Sequence, residues 1–302
     1  MISIGQRQIP GAGEIYLDHV GWMVADIAAA AATFERLGFR LTPYSVHGDR
    51  DPETGAMKPM GSANRLIMLG DGYLEILTPV AGVNTPVAQH MRGCIARNPG
   101  VHLVAFTVAD AEEDAKRVAA AGFDLQPTVH LRRTIEGQDG HETEVSFTVM
   151  RARFDAVPEA RIQVLTHHTP DEVWQPRYVG NALGVWGLGS AWLATDDPAK
   201  SAEGFARFAG RPAHRQEDGS FQIALERGVL KFLRHDEAAE RLGGGSLPAP
   251  PQIAAIGLKC RSLEAAASHL EANGIRPLES SAERIIIASE DAVGVRLILT
   301  QG

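Results

Sequence analysis

The stretch Glu35-Arg-Leu-Gly-Phe-Arg-Leu41 closes a short helix-like run on a glycine and continues into an extended segment. It recurs as Ala119-Ala-Ala-Gly-Phe-Asp-Leu125, Arg207-Phe-Ala-Gly-Arg-Pro-Ala213 and Glu271-Ala-Asn-Gly-Ile-Arg-Pro277. Gly38, Gly122, Gly210 and Gly274 are each expected to cap a helix in the left-handed conformation, which a Cβ disfavours. Ahead of each helix lies a strand-like run that closes on a polar capping residue: Leu17–Asp26, His102–Asp110, Ser190–Asp197 and Ile256–Ser262. β-rich runs follow each helix; in the first copy they are Phe39–Val46, Ser62–Leu69 and Tyr73–Thr78, which gives the order β-α-β-β-β.

Self-similarity in a fixed order marks a repeated supersecondary unit. The spacing predicts modules over about 14–86, 99–168, 186–235 and 252–302, an α+β chain of four βαβββ units. A four-stranded unit exposes an apolar face and must pair with another, and two paired curved sheets leave a cleft. Residues 14–168 and 186–302 are therefore expected to form two module pairs, joined through His168–Val185. The Leu242-Gly-Gly-Gly-Ser-Leu-Pro-Ala-Pro-Pro251 segment is expected to be a mobile linker between modules 3 and 4.

Superposing Leu17–Asp26 on His102–Asp110 by their closing Val-Ala-Asp triplets pairs Asp18 with His102; an offset of one residue brings His19 opposite His102. In the last strands, Tyr73-Leu-Glu-Ile-Leu-Thr78 superposes on Arg161-Ile-Gln-Val-Leu-Thr166 without a gap, so Glu75 matches Gln163. Two imidazoles, a carboxylate and a carboxamide then face one cleft, a donor mixture suited to a borderline divalent ion with positions left open for substrate. The alternative gives the histidines ordinary strand-end hydrogen bonds and pairs Glu75 with Arg65 or Arg161. A carboxylate inside Tyr-Leu-Glu-Ile-Leu needs some partner in either case.

The runs Leu17-Asp-His-Val-Gly21, Gly61-Ser-Ala-Asn-Arg-Leu66, Gly72-Tyr-Leu-Glu-Ile76 and Thr166-His-His-Thr-Pro-Asp-Glu-Val-Trp-Gln-Pro176 resemble the glyoxalase-like branch of the vicinal oxygen chelate superfamily. The resemblance implies metal ligands on the first and last strand of each module of a pair. Carried over, these are His19, Glu75, His102 and Gln163, with Gln163 departing from the commoner Glu. One divalent ion (Zn2+, Ni2+, Mn2+ or Fe2+) is the implied cofactor. The corresponding positions of modules 3 and 4 are Gly189, about Ala254, Lys231 and Leu297, a poor ligand set, so the second pair is expected to be a structural partner or a lid.

Around the cleft, Glu75 and His167 are candidates to move a proton, and Asn64 and Arg65 to hold a substrate carbonyl or carboxylate. Trp22, beside His19, is either core or a substrate contact. Trp174 is expected to anchor the linker, and the loop from Asp49 to Gly55 to cover the site. Composition narrows the class: a net charge of −8 without a dense Lys/Arg cluster argues against nucleic-acid or anionic-membrane partners. No apolar run is long enough to span a bilayer, and no signal-peptide pattern opens the chain, so it is read as cytoplasmic. Cys94 and Cys260 are expected to be free buried thiols, and disorder is expected at most in the first dozen residues. The partner is a small-molecule substrate; a homodimer is compatible with all of this. The leading function is a metal-dependent lyase or isomerase using enediolate-type chemistry on a small oxygenated metabolite. A ring-cleaving non-haem Fe(II) dioxygenase is the first alternative, and a non-catalytic small-molecule or antibiotic-binding protein the second.

Overall fold

Each of the four repeat glycines lies at positive φ: Gly38 at 93°, Gly122 at 88°, Gly210 at 64° and Gly274 at 68°. The four helices they close are α1 (Ile27–Arg36), α3 (Ala111–Ala120), α5 (Pro198–Ala209) and α7 (Leu263–Ala272). Asp26, Asp110, Asp197 and Ser262 cap the opposite ends, each side chain accepting from a backbone N–H of the first turn. The computed structural model describes residues 2–50 and 57–302. Most of the Asp49–Gly55 loop assigned to cover the site therefore lies outside the described residues.

The N-terminal modules build one eight-stranded sheet. Module 1 supplies β1 (Ile15–Met23), β2 (Ser45–Arg50), β3 (Met57–Met68) and β4 (Tyr73–Pro79). Module 2 supplies β5 (Gly100–Val108), β6 (Val129–Glu136), β7 (Glu142–Arg151) and β8 (Arg161–His167). The order β2-β3-β4-β1-β5-β8-β7-β6 places the two first strands antiparallel at the centre and makes the halves mirror each other in sequence order. A helix outside the repeat, α2 (Pro86–Arg97), connects them.

The C-terminal modules repeat the arrangement. Their strands are β9 (Val185–Thr195), β10 (Ala213–Arg215), β11 (Phe221–Ala224), β12 (Val229–Arg234), β13 (Gln252–Cys260), β14 (Glu279–Ser280), β15 (Arg284–Ile287) and β16 (Arg296–Gln301). The order β10-β11-β12-β9-β13-β16-β15-β14 is the same pattern again. Two paired sheets of this kind make the protein an α+β fold of the vicinal-oxygen-chelate type.

The two sheets share one apolar core. A single cluster joins Trp22, Phe34 and Phe106 of the first half to Phe208, Phe232 and Leu297 of the second. Phe208 meets Phe106 and Phe123 with ring centroids 5.9 and 5.3 Å apart. The Leu17 N–H donates to the Arg227 carbonyl at 2.7 Å and the Leu188 N–H to that of Asp71 at 2.9 Å. Each half thus buries its helical side against the other, and the opposite side of each sheet is left to close on itself.

In the C-terminal half that side is filled. The short helix α6 (His235–Arg241) and the segment up to Pro251 pack over the sheet, with Ala238, Leu242 and Leu247 against Ala194, Leu233, Ile286 and Ile298. The Arg296 guanidinium, 2% exposed, donates to the carbonyls of Ala239, Leu242, Gly244 and Ser246. The glycine-rich segment read as a mobile linker is therefore held in place, because its carbonyls satisfy a buried cation. Lys231, at the position matching Glu75, lies with Nζ 4.1 Å from the Trp192 ring centroid.

The chain's start is likewise packed rather than free: Gln8 is fully buried, and its amide bonds Ile4, Gly70 and Gly72 backbone groups. Trp174, after the short helix α4 (Pro170–Val173), is 1% exposed and donates to the Leu69 carbonyl, anchoring the connection as expected. Among the described residues no helix is long and apolar enough to cross a membrane.

Candidate active site

In the N-terminal half the matching side stays open and forms a cavity of about 140 Å³. Period-two alternation selects its lining. β1 contributes His19, β4 Tyr73, Glu75 and Leu77, and β3 Ser62, Asn64 and Leu66. Module 2 contributes Leu103, Leu131 and Arg133, Phe147, Val149 and Arg151, and Arg161, Gln163 and Leu165. His47 of β2 joins them.

A pair of bulges decides which histidine enters. Along the central β1–β5 pairing, Leu17 opposes Phe106 and His19 opposes Ala105, so Asp18 is an extra residue. Symmetrically, Gly21 opposes Leu103 and Trp22 opposes Val101, so His102 is the extra residue. Asp18 and His102 are thus equivalent, and His19 is equivalent to Leu103. The strict register of the Val-Ala-Asp triplets is the correct one. His102 does not line the cavity; its Nε2 lies 2.8 Å from the Asn98 carbonyl and its Nδ1 3.2 Å from Arg97. The proposed ligand set loses His102 for that reason.

The remaining three expected ligands come together. The Glu75 Oε2 atom is 3.7 Å from His19 Nε2, and the Gln163 amide nitrogen is 3.5 Å from the same nitrogen. Asn64 donates to Glu75 Oε1 at 2.7 Å, and the Tyr73 ring stacks on His19 with centroids 4.4 Å apart. Asn64 therefore holds Glu75 within the cavity wall. His47 reaches the other side of the carboxylate, its Nε2 3.9 Å from Oε1, and its Nδ1 is held by the Ser62 hydroxyl at 2.8 Å. Burial holds His47 near pKa 4 despite Glu75, with Arg133, Arg151 and Arg161 adding to the depression, so it is neutral at pH 7. Burial and the neighbouring Asp18 and Glu75 raise the Tyr73 phenol well above its ordinary range.

Behind His19 lies Asp18, fully buried. Its carboxylate contacts His19 Nδ1 at 2.6 Å and His167 Nε2 at 2.9 Å. Burial alone would raise the Asp18 pKa, yet the two imidazoles hold it far below the ordinary carboxylate range. A carboxylate on Nδ1 fixes the tautomer that presents the Nε2 lone pair of His19 to the cavity. His167 is itself buried and absent from the lining, and it meets His19 through their shared Asp18 carboxylate.

Two other expected contacts fall outside. Arg65 lies between Asn64 and Leu66, on the opposite face of β3; it donates to the Thr42 carbonyl at 2.9 Å and pairs with Glu35. Trp22 is fully buried in the shared core and donates to the Ala292 carbonyl at 3.2 Å. Sequence reasoning did not place Asp18 behind His19, nor His47, Arg133, Arg151 and Arg161 as a group in the cavity. Arg161 and Arg151 were within reach of the same alternation that placed Gln163, since Arg161 lies two residues away on its strand and Arg151 is its cross-strand partner.

Cys94 and Cys260 are both free and buried. Cys94 Sγ lies 3.5 Å from His90 Nε2. Burial raises the thiol's pKa and lowers that of His90 to about 4, which gives a neutral pair rather than a thiolate and imidazolium. His90, stacked on Phe154 with centroids 4.2 Å apart, is neutral when folded over a range where the unfolded chain takes up a proton. Its contribution to stability is whole above its ordinary value of 6.5 and is lost progressively as pH falls toward 4. His90→Phe keeps the stacking and should flatten that fall, measured as urea-unfolding free energy at pH 7, 5.5 and 4.5; an unchanged slope would contradict it.

Residues 17–209 match the family model described as "Glyoxalase-like domain". No curated protein matches the chain. Among solved structures, a hypothetical protein from Staphylococcus aureus superposes with a TM-score of 0.66 at 8% identity, covering 95% of this chain and 100% of that one. The Mn(II)-bound glyoxalase from Novosphingobium aromaticivorans gives 0.53 at 13%, covering 96% and 82%. A variant of homoprotocatechuate 2,3-dioxygenase from B. fuscum in complex with HPCA gives 0.55 at 11%, covering 97% and 72%. At these identities the structural likeness carries the fold alone, while the family match spans most of the chain. By that match and by its paired βαβββ modules, the protein belongs to the glyoxalase-like domain family, within the vicinal oxygen chelate superfamily.

Proposed function

We propose that the N-terminal cavity is the active site of a divalent-ion-dependent lyase or isomerase acting on a small oxygenated metabolite. The observation that carries this reading is the convergence of His19, oriented by buried Asp18, with Glu75 and Gln163. Donors about 2.1 Å from one ion stand roughly 3 to 3.4 Å from each other. The 3.7 Å between Glu75 Oε2 and His19 Nε2 comes near that spacing and is long for a hydrogen bond, and turning the Gln163 amide by 180° would put its oxygen where its nitrogen now lies 3.5 Å from His19 Nε2. Among the described residues no three His, Cys, Asp or Glu side chains form a metal-binding group, and in this reading the third donor would be the Gln163 carboxamide oxygen. His19, Glu75 and Gln163 would hold the ion, which would act as a Lewis acid at a substrate oxygen.

The chain's own groups supply the rest. Asn64 fixes Oε1 of Glu75 and so aims Oε2, the oxygen nearest His19, toward the ion's position. Neutral His47, steadied by Ser62, offers a second nitrogen across the carboxylate. Leu66, Leu77, Leu103 and Leu165 keep water from much of the wall. Leu103 also weighs against the dioxygenase alternative, since it stands where the second histidine of a two-His-one-carboxylate set is needed and His47 meets the far oxygen of Glu75.

Anaerobically purified protein should bind one divalent ion per chain, in the first half only, and turn over 2-oxoaldehydes without consuming oxygen. A chelator should abolish turnover and leave the far-UV circular dichroism nearly unchanged, because the shared core does not depend on an ion. Oxygen uptake with catechols would replace this reading by the oxygenase. Two ions per chain, or unfolding on chelation, would remove its basis.

A further inference from the structure

Arg133, Arg151 and Arg161 enter the cavity from three adjacent strands, and Glu75 is the one carboxylate among the described lining residues. The Nε atoms of all three are buried without a hydrogen-bond partner among the described residues. Arg161 is 8% exposed, and its guanidinium lies 5.4 Å from the Phe154 ring centroid. Arg133 makes only a 3.3 Å contact to the Ser45 hydroxyl. Within the described residues none of them forms a carboxylate ion pair; Glu75 acts on them from a distance while holding Asn64. Burial lowers the pKa of each, and Arg151 adds to the lowering of Arg161, to about 9, so all three stay cationic at pH 7.

Arg161 is buried and Arg133 and Arg151 are half-buried, and desolvated charges without partners destabilise a fold, the more so when like charges adjoin. A fold gains nothing from three of them on one wall unless something arrives to neutralise them. Guanidinium forks match the paired oxygens of a carboxylate or phosphate. We propose that Arg133, Arg151 and Arg161 form an oxyanion subsite that takes the carboxylate or phosphate of an anionic substrate and directs its other end toward His19 and Glu75. The word substrate rests on the active-site reading above; the binding does not.

The test uses the full-length protein in EDTA, with malonate, inorganic phosphate and uncharged malonamide as probes in calorimetry and thermal unfolding. At least one anion should bind and raise the melting temperature, and malonamide should do neither. A larger response to malonate assigns the subsite to carboxylates, and a larger response to phosphate assigns it to phosphate esters. Arg151→Met and Arg161→Met should each weaken anion binding at least tenfold while the unliganded melting temperature holds or rises, because a desolvated cation with no carboxylate partner among the described residues has been removed. Should Arg161→Met fail to fold, Arg151→Gln serves in its place. Anion binding that is absent, matched by malonamide, or unchanged in the variants overturns the proposal, as does a lower unliganded melting temperature with the anion response kept. If the anions bind in EDTA but no ion is held at His19 and Glu75, the metal-dependent reading fails and the subsite stands. If an ion is held and no anion binds, the subsite fails alone.

Discussion

Glu75→Ala should lose bound metal by at least about 100-fold in affinity, beyond the roughly 10–100-fold that outer-shell changes cost. Glu75 is the only anionic donor in the set, so it contributes most of the Coulomb attraction for a divalent ion. His19→Ala should be nearly as severe, since Asp18 aims its Nε2 into the cavity. Gln163→Ala should bind more weakly yet still bind, and Gln163→Glu more tightly at neutral pH. His102→Ala should leave occupancy unchanged, because the bulge turns that side chain to the Asn98 carbonyl. Bound metal per chain after dialysis at equal free-ion concentration ranks these variants. Full occupancy in Glu75→Ala with loss in Gln163→Ala would mean that the donors are wrongly assigned.

Asp18→Ala is expected to cost about 3–6 kcal/mol of folding stability, from two charge-assisted hydrogen bonds worth roughly 1.5–3 kcal/mol each. It would leave His19 and His167 buried without their shared acceptor. Because the folded Asp18 pKa lies far below its ordinary 3.8, its stabilising contribution is present above that value and persists until pH falls through the depressed one. Stability lost between pH 6.5 and 4 is therefore expected from the histidines whose pKa burial lowers: His47 and His90, whose folded values lie near 4, together with His102. Urea unfolding of the variant at pH 7 measures the first claim. A loss under about 1 kcal/mol would show that the network does not support the fold.

The paired-module architecture was legible because its signals are local. A left-handed glycine, a polar cap and a period-two apolar run each depend on a few neighbouring residues, and their fourfold recurrence gave the order of the sheets. Glu75 and Gln163 were legible for the same reason, since their strands align without a gap. Alternation alone also excludes Arg65, which shares a strand with Asn64 one residue away and must face the other side. His102 is different. Whether it or Leu103 faces the cavity depends on where each central strand carries its extra residue, and a bulge is a property of the pairing between strands rather than of either strand.

The same limit applies to what surrounds the site. Asp18 next to His19 reads as a strand residue until His167, 149 residues away, closes on its other oxygen. Alternation gives Arg151 and Arg161 the face of Gln163, but only the curled sheet brings them onto one cavity wall with Arg133 and leaves them without a carboxylate partner among the described residues. The filling of the second cleft likewise required Arg296 to meet carbonyls more than 50 residues earlier. The modules, their order and the placing of Glu75 and Gln163 on matching strand positions follow from backbone propensities and periodicity, which a sequence carries. Tertiary structure decided which side chains share the cavity and what charge they leave unpaired, because burial and long-range pairing exist only once the sheets have closed.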